Sequence, residues 1–199
     1  MGQELEADRI SGAIHEKYAR VAVSAEDAFA YPTGRAGARA LGYAAAELDR
    51  CPPSALTSFC GVGNPIELGP IERGEAVLDV GCGAGVDVFV AALRAGPEGR
   101  VCGVDATPAM VAKASATAVA AGLGNVEIRE ARADVLPFPD RSFDVVISNG
   151  VVNLALNKPQ VFAELFRVLR PGGRLQFADV VALEARPSDW CPTLEAWSD

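Results

Sequence analysis

Glu75-Ala76-Val77-Leu78-Asp79-Val80-Gly81-Cys82-Gly83-Ala84-Gly85 is the stretch from which the rest of the chain is read. Near-continuous apolar positions up to Val80 spell a buried strand. Gly81, Gly83 and Gly85 then strip Cβ atoms from the turn, so a ligand or another backbone can come close. Residues 86–93 continue with helical periodicity. Strand, glycine-rich turn and helix in that order place amide groups at the carboxyl edge of a sheet, where nucleotide-like ligands bind. A tight turn with no ligand is the other reading.

Downstream, the pattern repeats. A helix over 86–95 and a Gly96-Pro97-Glu98-Gly99 turn lead to a second strand, Arg100–Asp105. Thr107 and Pro108 open a helix as cap and first-turn residue, and Gly122 and Gly124 end it. Strands follow over Val126–Glu130 and Phe143–Asn149, the latter β-branched and therefore central. A helix over 159–169, capped by Asn157 or a neighbour, stops hard at Arg170-Pro171-Gly172-Gly173 before a fifth strand over 174–181. Alternating strands and helices imply an α/β fold: a Rossmann-like, mostly parallel sheet with right-handed crossovers and helices on both faces. The sheet is expected to end after this fifth strand. Its edge would then need a dimer partner or a further C-terminal segment.

Upstream, residues 4–22 read as a helix that caps the main domain, with Leu5, Ile10, Ile14, Tyr18 and Val21 near helical spacing. His15 on this helix reads as a surface or half-buried histidine, with a substrate-facing base as the other reading. Residues 24–40 read as loop, and 44–49 as a short helix stopped by Pro52 and Pro53. Ser58-Phe59-Cys60-Gly61-Val62-Gly63-Asn64-Pro65-Ile66 is expected over the carboxyl edge of the sheet, either as a wall of the site or as a plain loop. The expected division is a cap region over 1–54, a core over 55–183 and an acceptor-side segment from 184 to 199.

The formal charge of −8 over 199 residues argues against nucleic acid or an anionic membrane surface as the main partner. No apolar run reaches the length of a membrane span, and the acidic N-terminus lacks a signal-peptide core, so a cytoplasmic location is expected. Five cysteines, an odd number, fit reduced thiols better than a disulfide framework, and one histidine with no CxxC pair argues against a metal site.

For the glycine turn, the third glycine comes one position too early for a dinucleotide fingerprint, and no Gly-Lys-Ser/Thr follows. An adenosyl group without pyrophosphate remains. Asp79 before the turn can meet a cationic amino group, and Asp105 at the next strand end can accept from two ribose hydroxyls. These motifs, with Thr107-Pro108-Ala109-Met110, Leu136-Pro137-Phe138, Ser142-Phe143-Asp144-Val145-Val146 and Val168-Leu169-Arg170-Pro171-Gly172-Gly173, resemble class I S-adenosylmethionine-dependent methyltransferases over residues 74–181. The resemblance implies S-adenosyl-L-methionine as cofactor. It assigns Asp79, Gly81, Cys82, Gly83 and Gly85 to the methionine end, Asp105 and Ala106 to the ribose, and Met110, Ala133 and Asp134 to the adenine. Ser148 and Asn149 fall on the methyl side.

Within that class, Gly61-Val62-Gly63-Asn64-Pro65, Ala84-Gly85-Val86-Asp87 and Ser148-Asn149-Gly150-Val151-Val152-Asn153-Leu154 resemble arsenite methyltransferases. That resemblance implies thiols that capture trivalent arsenic, since a soft metalloid wants soft ligands. Val62 and Gly150 stand where the family has two of them, and the third falls just beyond Asp199. Candidate acceptor-side residues are Cys60, Asn149, Asn153 and Cys191, with a Cys60–Cys191 pair as one arrangement. The expectation is methyl transfer to a small acceptor, either arsenite or an organic O-, N- or C-nucleophile. A non-catalytic cofactor-binding protein is the reading from another class.

Overall fold

A computed structural model of the chain describes residues 2–181. Its centre is a five-stranded, all-parallel sheet in the order β3-β2-β1-β4-β5. The strands are β1 (Ala76–Val80), β2 (Arg100–Asp105), β3 (Val126–Glu130), β4 (Phe143–Asn149) and β5 (Leu169–Ala178). Every residue of β1 is buried, as expected of the central strand of a parallel sheet covered on both faces. The order reverses between β1 and β4, which opens a crevice at their carboxyl ends.

Alternate residues of the strands feed two cores. Val77, Val101, Val145 and Ile147 pack under α5 (Val86–Ala95) and α6 (Pro108–Ala120). Leu78, Val104, Phe143 and Val146 face the other way, toward α7 (Lys158–Val168). Phe143 is fully buried edge-on to Phe138, with ring centroids 4.9 Å apart. Such a ring contributes roughly 2–3 kcal/mol by burial.

The N-terminal region adds α1 (Gly2–Val21), α2 (Gly34–Ala40), α3 (Ala45–Leu48) and α4 (Pro53–Leu56) on the α5/α6 side. α1 and α4 both pack on α6. Lys113 of α6 ties them there, its Nζ donating to the Ala22 carbonyl and to Ser58 Oγ, both at 2.7 Å. Arg94 at the end of α5 reaches Glu47 of α3 and Glu67 in the one-turn helix Pro65–Leu68.

Three local expectations are corrected. Residues 24–40 are not all loop, because α2 forms there: Gly37 sits so close to Pro32 that a Cβ would lie 2.2 Å from its carbonyl oxygen. Thr107 precedes α6 at the cap position, yet its side chain makes no capping bond; Asp105 Oδ1 instead accepts from the Thr107 amide at 2.8 Å. Arg170-Pro171-Gly172-Gly173 stops α7 but not the chain's pairing. β5 starts at Leu169, opposite Phe143, and resumes with Arg174 opposite Val145, so five residues advance where β4 advances two. The Pro-Gly-Gly run bulges out of the ladder, and the strand ends at Ala178 rather than at Val181.

Candidate functional site

A cavity of about 180 Å³ opens at the carboxyl ends of β1, β2 and β4. Gly81, Gly83, Asp105, Ala106, Met110, Ala133, Asp134 and Asn149, all expected at the site, line it. Asp79, Cys82, Gly85 and Ser148 do not lie on its lining. Ser148 Oγ donates to the Val80 carbonyl at 2.9 Å, inside the sheet. The Cys82 thiol points under the turn, where a Cβ on Gly103 would lie 3.0 Å from its sulfur. Gly85 sets the start of α5 against Ala114 of α6.

The turn is built differently from a phosphate cradle. The amides of Gly81 and Cys82 donate to the Val104 carbonyl, that of Gly83 to Asp105 Oδ2 at 2.9 Å, and that of Gly85 to the Cys82 carbonyl. These donors are spent inside the protein. What the turn offers is room. Gly83 has φ +51° and nothing within 4 Å of the position of a Cβ, whereas at Gly81 (φ +76°) a Cβ would lie 2.2 Å from Val151 Cγ2.

Asp105 is held at both oxygens, Oδ1 by the Thr107 amide and Oδ2 by the Gly83 amide. Burial pushes its carboxyl up, and these amide bonds pull it back down. One lone pair on each oxygen remains for a ligand. Asp79, 1% exposed, has an Oδ2 with no hydrogen-bond partner, and burial beside Asp87 and Asp105 pushes its carboxyl well above the usual range. None of the ion pairs among the described residues involves Asp79, Asp87 or Asp105. Asp105 on the lining, open space at Gly83 and an apolar floor at Met110 fit an adenosyl group.

Asn149 is mainly a latch. Its Oδ1 accepts from the amides of Val62 and Gly63 at 2.9 and 3.1 Å. Its Nδ2 donates toward the Gly63 carbonyl, Asp87 Oδ2 and Tyr43 Oη at 2.9–3.1 Å, two hydrogens shared by three acceptors. Tyr43 in turn donates to Asp87 Oδ1. The 61–63 loop is thereby fixed over the sheet edge.

Cys60 follows from that loop placement and lines the cavity, where burial pushes its thiol up to about 12. Cys51, Cys82 and Cys102 are free but buried elsewhere, so they bring no second sulfur to the lining. Val62 and Gly150 face each other: a Cβ on Gly150 would lie 3.4 Å from Val62 Cγ1. Asn153 is beside the cavity rather than on it, with a buried, unpartnered Oδ1 and its amide bound to Asp179 Oδ2. Cys191, and with it the Cys60–Cys191 arrangement, lies outside the described residues. Among the described residues no group of three or more His, Cys, Asp or Glu side chains could hold a metal ion.

Sequence reading missed the wall opposite the sheet. Ser11, Ile14, His15 and Tyr18, on one stripe of α1, line the cavity. Their i, i+3, i+4, i+7 spacing was visible, but not what that stripe faces. Val151, Leu154, Leu156 and Val161 complete the apolar lining.

The model of a family described as "Methyltransferase domain" matches residues 71–198. The arsenite methyltransferase of Halobacterium salinarum is 40% identical over 190 residues, covering 88% of this chain and 48% of that protein. Nocamycin O-methyltransferase of Saccharothrix syringae is 43% identical over 102 residues, covering 51% of this chain and 36% of that one. The chain thus spans half or less of the length of these relatives. The crystal structure of an arsenic (III) S-adenosylmethionine methyltransferase from Chlamydomonas reinhardtii superposes with a TM-score of 0.57 at 38% identity, covering 75% of this chain and 50% of that one. No helix among the described residues is long and apolar enough to cross a membrane. The chain belongs to the methyltransferase-domain family, with the class I S-adenosylmethionine-dependent fold and sequence similarity to arsenite methyltransferases.

Proposed function

We propose that this protein is an S-adenosylmethionine-dependent methyltransferase, arsenite-methyltransferase-like, acting on a small acceptor. The observation that carries the reading is Asp105. It stands at the end of β2 with both oxygens oriented by amides, in a cavity floored by Met110 and opened by Gly83. In this reading Asp105 takes the ribose hydroxyls, Met110, Ala133 and Asp134 frame the adenine, and Asp79 with the turn serves the methionine end. The bound cofactor supplies an activated methyl group on a sulfonium, so no protein nucleophile is needed. The chain's own work is alignment and exclusion of water. α1 and the apolar lining shield the cavity, and the Asn149 latch fixes the loop that carries Cys60.

A second reading, an organic O-, N- or C-acceptor, is favoured by the packing of Val62 on Gly150 and by Cys60 as the one described thiol on the lining. Arsenic capture calls for several soft ligands at one place. Transfer of labelled methyl from S-adenosylmethionine tests both. Methylated arsenic from arsenite with glutathione supports the first reading. No arsenic product, together with methylation of a phenol or amine, assigns the second. No transfer to any acceptor by a protein that binds the cofactor leaves the non-catalytic reading.

We further read residues 1–54 as a cap and 55–183 as the catalytic core, with the 184–199 segment outside the described residues. Free thiols at the four cysteines among the described residues support a reducing compartment, hence the cytoplasm. Among the described residues no strand pairs with the outer edge of β5, and Phe177 is exposed there; this supports cover by a further segment or by a second copy, and the mass of the particle in solution tests the second copy.

A further inference from the structure

We propose that His15 is a cofactor-contacting residue: from α1 it closes over the ribose bound at Asp105 and donates to one of the ribose hydroxyls. The inference rests on the methyltransferase reading above and names a contact that motif reading does not supply.

His15, from α1, and Asp105, from the end of β2, line the same cavity. His15 is the only histidine in the chain. Of the other polar groups of the lining, Asn149 is engaged in the latch, and Ser11 stands one turn before His15 on α1. Arg132 and Asp134 bind each other at 2.7 and 2.9 Å. Tyr18 lines the cavity one turn further along α1.

The chemistry on the two walls is complementary. Asp105 is an acceptor with both oxygens already receiving one amide each, so it can take only the hydrogens of the ribose hydroxyls. A hydroxyl that gives its hydrogen to Asp105 keeps lone pairs directed away from the sheet. The imidazole N–H is the donor on that side. α1 is anchored at Ile10 and Val21, both buried, and its intervening turns span the cavity, so the donor is presented by a fixed scaffold.

Calorimetric titration with S-adenosylhomocysteine and its 2′-deoxy and 3′-deoxy analogues tests this as a coupling cycle. One hydrogen bond of ordinary strength corresponds to about tenfold in affinity. His15→Ala is expected to weaken S-adenosylhomocysteine about tenfold, yet to leave unchanged the affinity of whichever deoxy analogue lacks the contacted hydroxyl. His15→Gln, which keeps a donor, should recover part of the loss. The inference is overturned if His15→Ala binds S-adenosylhomocysteine as the parent does, or weakens all three ligands by the same factor. If the parent itself binds none of them, it is the methyltransferase reading that fails.

Discussion

Asn149→Ala should destabilise the fold without touching the cavity's ribose end. The substitution removes the partner of two loop amides, Val62 and Gly63, of the Gly63 carbonyl, and of Asp87 Oδ2. The loop groups are half-buried and water can reach them, at a cost of about 0.5–1 kcal/mol each. Asp87 is 7% exposed and keeps only Tyr43, which costs more. The total comes to about 3 kcal/mol, or roughly 6–12 °C in Tm for a chain of this size. Asn149→Asp separates the two halves of the latch. It keeps the acceptor for Val62 and Gly63 but sets a second carboxyl 3.1 Å from Asp87. The new carboxyl's pKa is raised in the folded state, so its deficit grows as pH rises through that value and shrinks toward the unfolded carboxylate range near about pH 4. Thermal melts at about pH 5 and pH 8 measure both effects. A Tm for Asn149→Ala within about 1 °C of the parent, or an Asn149→Asp deficit equal at the two pH values, would refute the latch.

Gly81→Ala should lose about 2–4 kcal/mol, from a left-handed backbone and a Cβ driven into Val151. The double variant with Val151→Ala should regain the steric part, readable by urea denaturation. Gly83→Ala should lose only about 1 kcal/mol, since nothing surrounds its Cβ position, while its methyl enters the cavity and weakens S-adenosylhomocysteine binding. Asp79→Asn should raise Tm at about pH 8, because the parent's raised carboxyl gives stability that is lost as pH climbs through its folded value. The gap should close near about pH 4, and a gap independent of pH would show that Asp79 is ionised in the fold.

Four strands were legible at the bounds observed: Ala76–Val80, Arg100–Asp105 and Phe143–Asn149 are largely apolar, as inner strands of a covered parallel sheet need to be, and Val126–Glu130 alternates as a half-exposed edge strand does. α2 was not, since Gly34-Arg35-Ala36-Gly37-Ala38-Arg39-Ala40 has no apolar period and is held by Gly37 against Pro32 and by the buried Ala38. The Pro171–Gly173 bulge was read as an end because local turn chemistry says nothing about which strand lies alongside. Around the site, the strand-end position of Asp105 and the family resemblance for Met110 and Ala133 pointed to residues that line the cavity. Neither could distinguish Asn149 at the cavity from Asn149 as a latch, because the bonds that decide this join residues 86 and 87 positions apart. For His15 the sequence offered a substrate-facing base beside a surface reading, and for Tyr18 one apolar position on a helix; the cap's packing on α6 puts both on the cavity. Buried Gln176 was missed for the same reason: its Nε2 closes the Pro65–Leu68 turn onto β5 through the Pro65 and Gly69 carbonyls.

The most direct measurement of the central claim is calorimetric titration of S-adenosylhomocysteine into the parent and into Asp105→Asn, with circular dichroism to match their folds. Hydrogen bonds to a charged acceptor are worth about 1.5–3 kcal/mol. The parent should bind one equivalent, and Asp105→Asn should bind it about ten- to a hundredfold more weakly at unchanged secondary structure. No binding by the folded parent, or equal affinity in the two proteins, would contradict the cavity at the ends of β1, β2 and β4 as the cofactor's seat.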